Sequence, residues 1–197
     1  MLVPIFFACD EKFVKFTMVA IRSIIANASA ENTYKIHILH MGISEPTQKK
    51  ATDMATENVD IEFVDVTENM NKIRAKLPIR DYYTATTYYR LFIPEMYPEY
   101  RKALYIDSDT VALKDVAELY AVSLGKTYAG VCPDRVVAQT DILGDYTEKV
   151  LGVSRSSYFN AGIMLMNCKQ FRENHLLDEF IELLGIYSFV VAQDQDY

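Results

Sequence analysis

The chain has 197 residues, half of them hydrophobic and 24% charged, a globular composition that excludes intrinsic disorder as its main state. Lys and Arg number 20 against 27 Asp and Glu, and the net charge of −7 has the wrong sign for a surface that neutralises nucleic-acid phosphates. The length suits one domain over residues 1–197, with a core that needs no disulfide or metal staple.

Residues 3–9 are a short apolar run. No basic stretch precedes it, and Asp10 and Glu11 follow at once, so it reads as a first buried strand rather than a secretory signal. A helix-period stripe follows at Phe13, Phe16, Ala20, Ile21 and Ile24. Residues 35–41 alternate as a strand. Ser44, Glu45 and Pro46 signal a helix start, and residues 61–66 form another strand. Residues 103–106 are a compact buried strand that stops at Asp107. Residues 128–132 predict a strand ended by Pro133, and residues 158–166 a long apolar strand. Asn167, with Gln170 three residues on, caps a helix carrying Leu176, Leu177, Phe180, Ile181 and Leu184 on one face. No apolar run is long enough to span a membrane. Strands alternating with helices indicate an α/β fold with a largely parallel sheet. Such sheets bind ligands at the carboxyl ends of their strands.

Several familiar chemistries are missing. There is no Gly-x-Gly-x-x-Gly and no Gly-x-Ser-x-Gly, and Gly125, Lys126 and Thr127 lack the upstream glycine of a P-loop, where Tyr120 stands. Cys9, Cys132 and Cys168 are odd in number and widely spaced, which fits reduced thiols rather than a zinc knuckle or redox pair. His37 and His40 lie on one strand and read as structural or surface residues.

The most informative segment is Leu104, Tyr105, Ile106, Asp107, Ser108, Asp109, Thr110. A buried strand here delivers two carboxylates into a loop. In an extended chain, side chains two apart point the same way. Carboxylates held so close repel unless a cation sits between them, and Mg²⁺ or Mn²⁺ would share such ligands with a diphosphate. Two other readings stand beside this one. Asp and Ser are common in plain strand-end turns, and a second Asp-x-Asp occurs at Asp194 and Asp196. Asp107, Ser108, Asp109, Thr110 and Val111 also fit the Asp-x-Asp-Thr-Val pattern of haloacid-dehalogenase phosphohydrolases. Those enzymes carry the motif on their first strand, whereas about a hundred residues precede it here.

Four segments taken together resemble the family 8 retaining glycosyltransferases. That family includes bacterial lipopolysaccharide galactosyl- and glucosyltransferases and, more distantly, glycogenin. The segments are Phe7 with Ala8, Cys9, Asp10, Glu11, Lys12 and Phe13; Thr86 with Thr87, Tyr88, Tyr89, Arg90 and Leu91; the strand ending in Asp107, Ser108 and Asp109; and Tyr158 with Phe159, Asn160, Ala161 and Gly162. Gln193, Asp194, Gln195 and Asp196 match the family's Gln-Asp-Gln-Asp run. The motifs occur in order and span nearly the whole chain.

The resemblance implies a GT-A fold, a Rossmann-like, mostly parallel sheet flanked by helices. It implies that Ala8 and Asp10 hold a uridine and that Phe13, in place of the usual Tyr, stacks on the uracil. Arg90 reaches toward the donor near the metal. Asp107 and Asp109 ligate Mn²⁺ or Mg²⁺, and Ser108 lies by the ribose. Asn160 and Ala161 contact the donor sugar, while Asp134 and Asp194 accept hydrogen bonds from its hydroxyls. Gln195 neighbours the ring face at which retention is decided. The implied partners are UDP-glucose or UDP-galactose and a glycan or glycolipid acceptor. The implied location is the cytoplasm, with peripheral membrane association through a further C-terminal segment. Relatives also carry, beyond the Gln-Asp-Gln-Asp run, a histidine that completes the metal site and a Gly and Lys that hold the diphosphate. The resemblance therefore leads us to expect a C-terminally truncated chain with an incomplete metal shell.

Overall fold

Burial on both faces explains why the first strand is apolar without alternation. In a computed structural model describing residues 1–73, 85–189, 191–192 and 194–197, the chain builds a six-stranded sheet flanked by helices. The first half runs β1 (Leu2–Ala8), α1 (Val14–Asn27), β2 (Thr33–His40), α2 (Glu45–Thr52), β3 (Val59–Asp65) and α3 (Thr67–Ile73). A 3-10 helix (Ala85–Phe92) and α4 (Ile93–Met96) lead into β4 (Ala103–Ile106), α5 (Val116–Tyr120) and β5 (Ala129–Pro133). Then come α6 (Arg135–Gln139), α7 (Asp141–Tyr146), a π turn (Thr147–Leu151), β6 (Phe159–Met166), α8 (Cys168–Glu173) and α9 (Leu176–Ile186).

The strand order is β3-β2-β1-β4-β6-β5. The pairs of β1 with β2, β1 with β4 and β2 with β3 are parallel, and β6 runs antiparallel between β4 and β5. The sheet separates two cores. Val3, Ile5 and Phe7 face one side with Ala20, Ile21 and Ile24 of α1, while Phe6 faces the other with Tyr88, Tyr89 and Phe92 of the 3-10 helix. Among the described residues no helix is long and apolar enough to cross a membrane.

Two expected elements are corrected. The buried stripe of α1 is Val14, Thr17, Ala20, Ile21 and Ile24. Phe13 and Phe16 sit one position round the helix from that stripe, and both are exposed. The helix capped by Asn167 is two helices. The Asn167 side chain does accept from the Gln170 N–H, at 3.3 Å. The helix then stops because His175 adopts a left-handed φ of 55°. Asn174 Nδ2 covers a last-turn carbonyl by donating to Gln170 at 2.9 Å. The apolar face from Leu176 to Leu184 therefore belongs to α9 alone.

His37 and His40 are both buried. His37 Nδ1 lies 2.7 Å from Glu62 Oε1, and its ring stacks on Phe6. His40 Nδ1 accepts from the N–H groups of Gly42 and Ile43 at 3.2 and 3.1 Å, which requires a neutral ring protonated on Nε2. Burial holds both imidazoles below their ordinary value. The unfolded chain therefore binds more protons than the folded one just below pH ~6.5, so stability present above that pH is lost as pH falls. Melting temperature is expected to drop between pH 7.5 and 5.5. Asn at position 40 keeps an acceptor that does not titrate, so His40→Asn should flatten part of that drop.

Candidate active site

The chain winds outward from β1 to β2 and β3, then returns to lay β4 on the other edge of β1. This switch opens a crevice at the carboxyl ends of β1 and β4, where doubly wound sheets bind ligands. Strand β6 enters from the opposite direction with Ile163 opposite Ile106, so its first residues lie beside the end of β4. The Asp107 N–H extends that pairing by donating to the Gly162 carbonyl at 2.7 Å. Strand β5 ends with Pro133 opposite Phe159, which delivers Asp134 to the same end of the sheet.

A cavity of about 400 Å³ occupies the crevice. Ala8, Asp10, Phe13, Arg90, Asp107, Ser108 and Asp109 all line it, together with Cys9, Thr86, Thr87 and Tyr105. Asp10 turns the chain from β1 into α1, its Oδ1 accepting from the N–H groups of Lys12 and Phe13 at 2.9 Å each. That turn leaves Phe13 49% exposed at the cavity wall, its ring tilted against that of Phe16. Asp107, Ser108 and Asp109 form a turn after Ile106 rather than extended chain, so strand alternation is not what aims the two carboxylates. The turn does so instead, closed by Thr110 Oγ1 donating to the Asp107 carbonyl at 2.9 Å. Ser108 is buried under it. Its hydroxyl accepts from Thr17 at 2.8 Å and donates to the Ala8 carbonyl at 3.3 Å, pinning the turn to β1 and α1.

Arg90 is 6% exposed. Its Nη2 meets Asp107 Oδ1 at 3.3 Å, and its Nη1 donates to the Ala161 carbonyl. Its Nε donates to the Thr87 carbonyl at 3.0 Å and lies 3.1 Å from Asp194 Oδ2. The guanidinium rests over the Tyr105 ring at 4.2 Å. Thr87 Oγ1 donates to Asp194 Oδ1 at 2.9 Å. One buried cation thus bridges the cavity's Asp107 to Asp194 on the C-terminal segment. Burial pushes the Asp107 carboxyl up from its ordinary value, against the opposing pull of Arg90 and of the Tyr105 hydroxyl.

The hydrogen bonds that Tyr105 and Arg90 give Asp107 both fall on Oδ1, at 2.8 and 3.3 Å. Oδ2 faces the backbone of Gly162. With Asp109 exposed on the same cavity, the pair presents the all-oxygen donor set that suits Mn²⁺ or Mg²⁺. Among the described residues no group of three or more His, Cys, Asp or Glu side chains is arranged to hold a metal ion. His175 is exposed and pairs with Asp178, remote in role from this site.

The remaining expected residues form a second group joined to the first through Arg90. Gln195 Oε1 accepts from the Ala161 N–H at 3.0 Å, and its Nε2 donates to Asp134 Oδ2 at 3.3 Å. Asp134 Oδ1 caps α6 through the N–H groups of Val136 and Val137. Asn160 is exposed and turns its Oδ1 back to the Gly162 N–H at 2.9 Å. Arg90, Ala161, Asp194 and Gln195 line one end of a largely apolar cavity of about 460 Å³ against α9. The Gln193 of the Gln-Asp-Gln-Asp run lies outside the described residues. The second Asp-x-Asp is not a twin of the first. Asp194 is tied to Arg90 and Thr87, and Asp196 is buried among hydroxyl and backbone donors.

Sequence reasoning missed Tyr105, Thr87 and Gly162 as parts of the site. Tyr105 left one signal, a phenol in an otherwise aliphatic strand, two residues before the carboxylate it holds.

The family model described as Glycosyl transferase family 8 matches residues 4–197. A putative glycosyltransferase of Haemophilus influenzae is 29% identical over 194 residues, covering 98% of this chain and 57% of the relative. The lipopolysaccharide 1,2-glucosyltransferase of Escherichia coli is 24% identical over 183 residues, covering 92% of this chain and 52% of the relative. The chain thus spans between half and three-fifths of the length of these relatives. Among solved structures, the galactosyltransferase LgtC in complex with donor and acceptor sugar analogues superposes with a TM-score of 0.85 at 28% identity, covering 98% of this chain and 68% of that one. These matches, and a motif that follows the fourth strand rather than the first, leave the phosphohydrolase reading without support. The fold is the GT-A fold, and the chain belongs to glycosyl transferase family 8.

Proposed function

We propose that the protein is a retaining glycosyltransferase that moves glucose or galactose from UDP to a hydroxyl of a surface glycan or lipopolysaccharide, acting in the cytoplasm. The observation that carries this reading is the charge of the strand-end cavity. Asp10, Asp107 and Asp109 line it against one guanidinium, Arg90, beside the exposed ring of Phe13. An aromatic base can stack on that ring, whereas an anionic diphosphate is repelled by the carboxylates unless a cation joins it. Asp107 and Asp109 would hold Mn²⁺ or Mg²⁺, which would supply Lewis-acid stabilisation of the departing diphosphate.

The chain's own residues do the rest. Ala8 and Asp10 seat the uridine. Asp134 and Asp194 accept from the sugar hydroxyls, and a fixed acceptor pair of this kind discriminates between epimers. Gln195 is the candidate neighbour of the sugar's reacting face, but an amide is a poor nucleophile. Same-face attack by the acceptor, with the Gln195 carbonyl oxygen stabilising the developing oxocarbenium ion, accounts for retention without a covalent intermediate. The Ala161 N–H and Asp134 orient that amide.

Isothermal titration with UDP tests the reading. Binding should depend on Mn²⁺ and disappear in Asp109→Asn, a variant at an exposed turn position that leaves the core untouched. Metal-independent binding of equal strength, or no UDP binding at all, would overturn the proposal. A thermal-shift comparison of UDP-glucose with UDP-galactose then names the sugar.

A further inference from the structure

We propose that Asp196 is a positioning residue that sets Asp194 and Gln195 against the donor sugar, and that it is not a metal ligand or a nucleophile. The inference rests on the glycosyltransferase reading above. Asp196 is 8% exposed. Its Oδ1 accepts from the Tyr158 hydroxyl at 2.6 Å, and its Oδ2 accepts from the Tyr146 hydroxyl at 2.9 Å and the N–H groups of Ala192 and Val191 at 2.9 and 3.2 Å. Three of these donors crowd Oδ2 and one holds Oδ1, so the carboxylate is fixed from several directions by the protein itself. Asp196 lines neither of the two cavities described above, so its carboxylate is turned to the protein and not toward a cation or a sugar carbon.

The donors come from three places, and that is what makes the group a device. Val191 and Ala192 precede Asp196 by five and four residues, so their bonds fold the C-terminal segment into a closed loop with Asp194 and Gln195 on it. Tyr146 ends α7 and anchors the loop to the excursion between β5 and β6. Tyr158 directly precedes β6, and its carbonyl accepts from the Asp134 N–H at 2.9 Å. One phenol therefore links Asp196 to the residue whose Oδ2 receives Gln195 Nε2. The loop is thereby registered at once to the Asp134 turn, to the Ala161 N–H through Gln195, and to Arg90 through Asp194. Among the described residues all four donors to Asp196 are neutral, and hydrogen bonds from such donors to a carboxylate are the strong, charge-assisted kind.

The uridine and diphosphate end of the cavity is built from β1, α1 and the turn after β4, which share no bond with Asp196. Binding of UDP and use of the sugar should therefore separate. In Asp196→Asn the amide NH₂ of the new side chain confronts N–H donors. Mn²⁺-dependent UDP affinity is expected to stay within about threefold, whereas the kcat for donor hydrolysis, read as UDP release, should fall by about 100-fold, the scale of a small misplacement of catalytic groups. Tyr158→Phe, which removes one donor and keeps the carboxylate, should fall about tenfold, and adding it to Asp196→Asn should cost little more because the two act as one unit. UDP affinity falling in step with kcat would overturn the proposal in favour of a metal or purely structural role. Loss of activity in Asp196→Asn with Tyr158→Phe unchanged would overturn it in favour of direct chemistry, and unchanged kcat in both would remove Asp196 from the site. Wild-type protein that fails to bind UDP with Mn²⁺ would bring down the function proposed above, a result distinct from all of these.

Discussion

Arg90→Met should lower the stability of the fold by about 3–5 kcal/mol and abolish measurable Mn²⁺-dependent UDP binding at neutral pH, the stability term being that of a buried ion pair deprived of one partner. Arg90 and Asp194 form such a pair, with side chains 7% and 10% exposed. Methionine fills much of the same volume, so packing over Tyr105 survives and the loss is electrostatic. Asp194 would be left with the Thr87 hydroxyl, and Asp107 with the Tyr105 hydroxyl. The effect on Asp107 has a definite sign. Burial already raises that carboxyl and Arg90 opposes the rise, so removing Arg90 raises it further. Metal binding needs the ionised form. In the variant, any residual Mn²⁺-dependent binding should therefore fail at a higher pH than in the wild type as the solution is acidified. Arg90→Lys keeps the charge but not the fork that spans both carboxylates and the Ala161 carbonyl, so it should recover only part of the stability. Urea denaturation and UDP titration across pH check all three statements. An Arg90→Met protein as stable as wild type would show that the bridge between the two carboxylates contributes nothing.

The same arginine shows why some of the site could be read before the fold was known and some could not. Taken alone, Arg90 reads as an ordinary salt-bridge partner on a helix face, and it is one; what sequence spacing cannot supply is that its partners lie 17 and 104 residues downstream on other segments. Local features were legible because local rules cause them. The buried run ending at Asp107 and the Asn167 cap follow from apolar patterning and side-chain capping. Strand direction was not legible, since an apolar run such as residues 158–166 is the same pattern parallel or antiparallel. Yet the antiparallel course of β6 is what places Ala161 and Gly162 beside Asp107. The break at His175 was invisible for a related reason. No Gly or Pro marks it, and the left-handed residue is stabilised by Asn174 bonding back to Gln170. The excess of acidic residues, which spoke against nucleic acid, takes on a positive meaning at the cavity, where it calls for a cation before any diphosphate can enter.

Gly162→Ala should cost about 1–3 kcal/mol of stability and reduce Mn²⁺-dependent UDP affinity by at least about tenfold, because the overpacking falls on the Asp107 carboxylate. A methyl at position 162 would stand 2.7 Å from Asp107 Oδ2 and 2.9 Å from Asn160 Oδ1. Asn160 lies at the exposed start of β6 and can turn away. Asp107 cannot yield so cheaply. Its Oδ1 is fixed by Tyr105 and Arg90, and its own N–H is bonded to the Gly162 carbonyl, so the side chain moves only by giving up the bonds that aim it. Gly162 shows no left-handed φ, so alanine meets no backbone strain and the whole effect is the collision with Oδ2. Gly185→Ala is the matched control. It sits in α9 with open space where its methyl would go, and a helical Gly to Ala change stabilises by up to about 1 kcal/mol. That variant should melt slightly higher and bind UDP as the wild type does. Full Mn²⁺-dependent affinity in Gly162→Ala would mean that Asp107 Oδ2 is not the atom offered to the metal, and Asp109 would then have to carry the cation with the diphosphate alone.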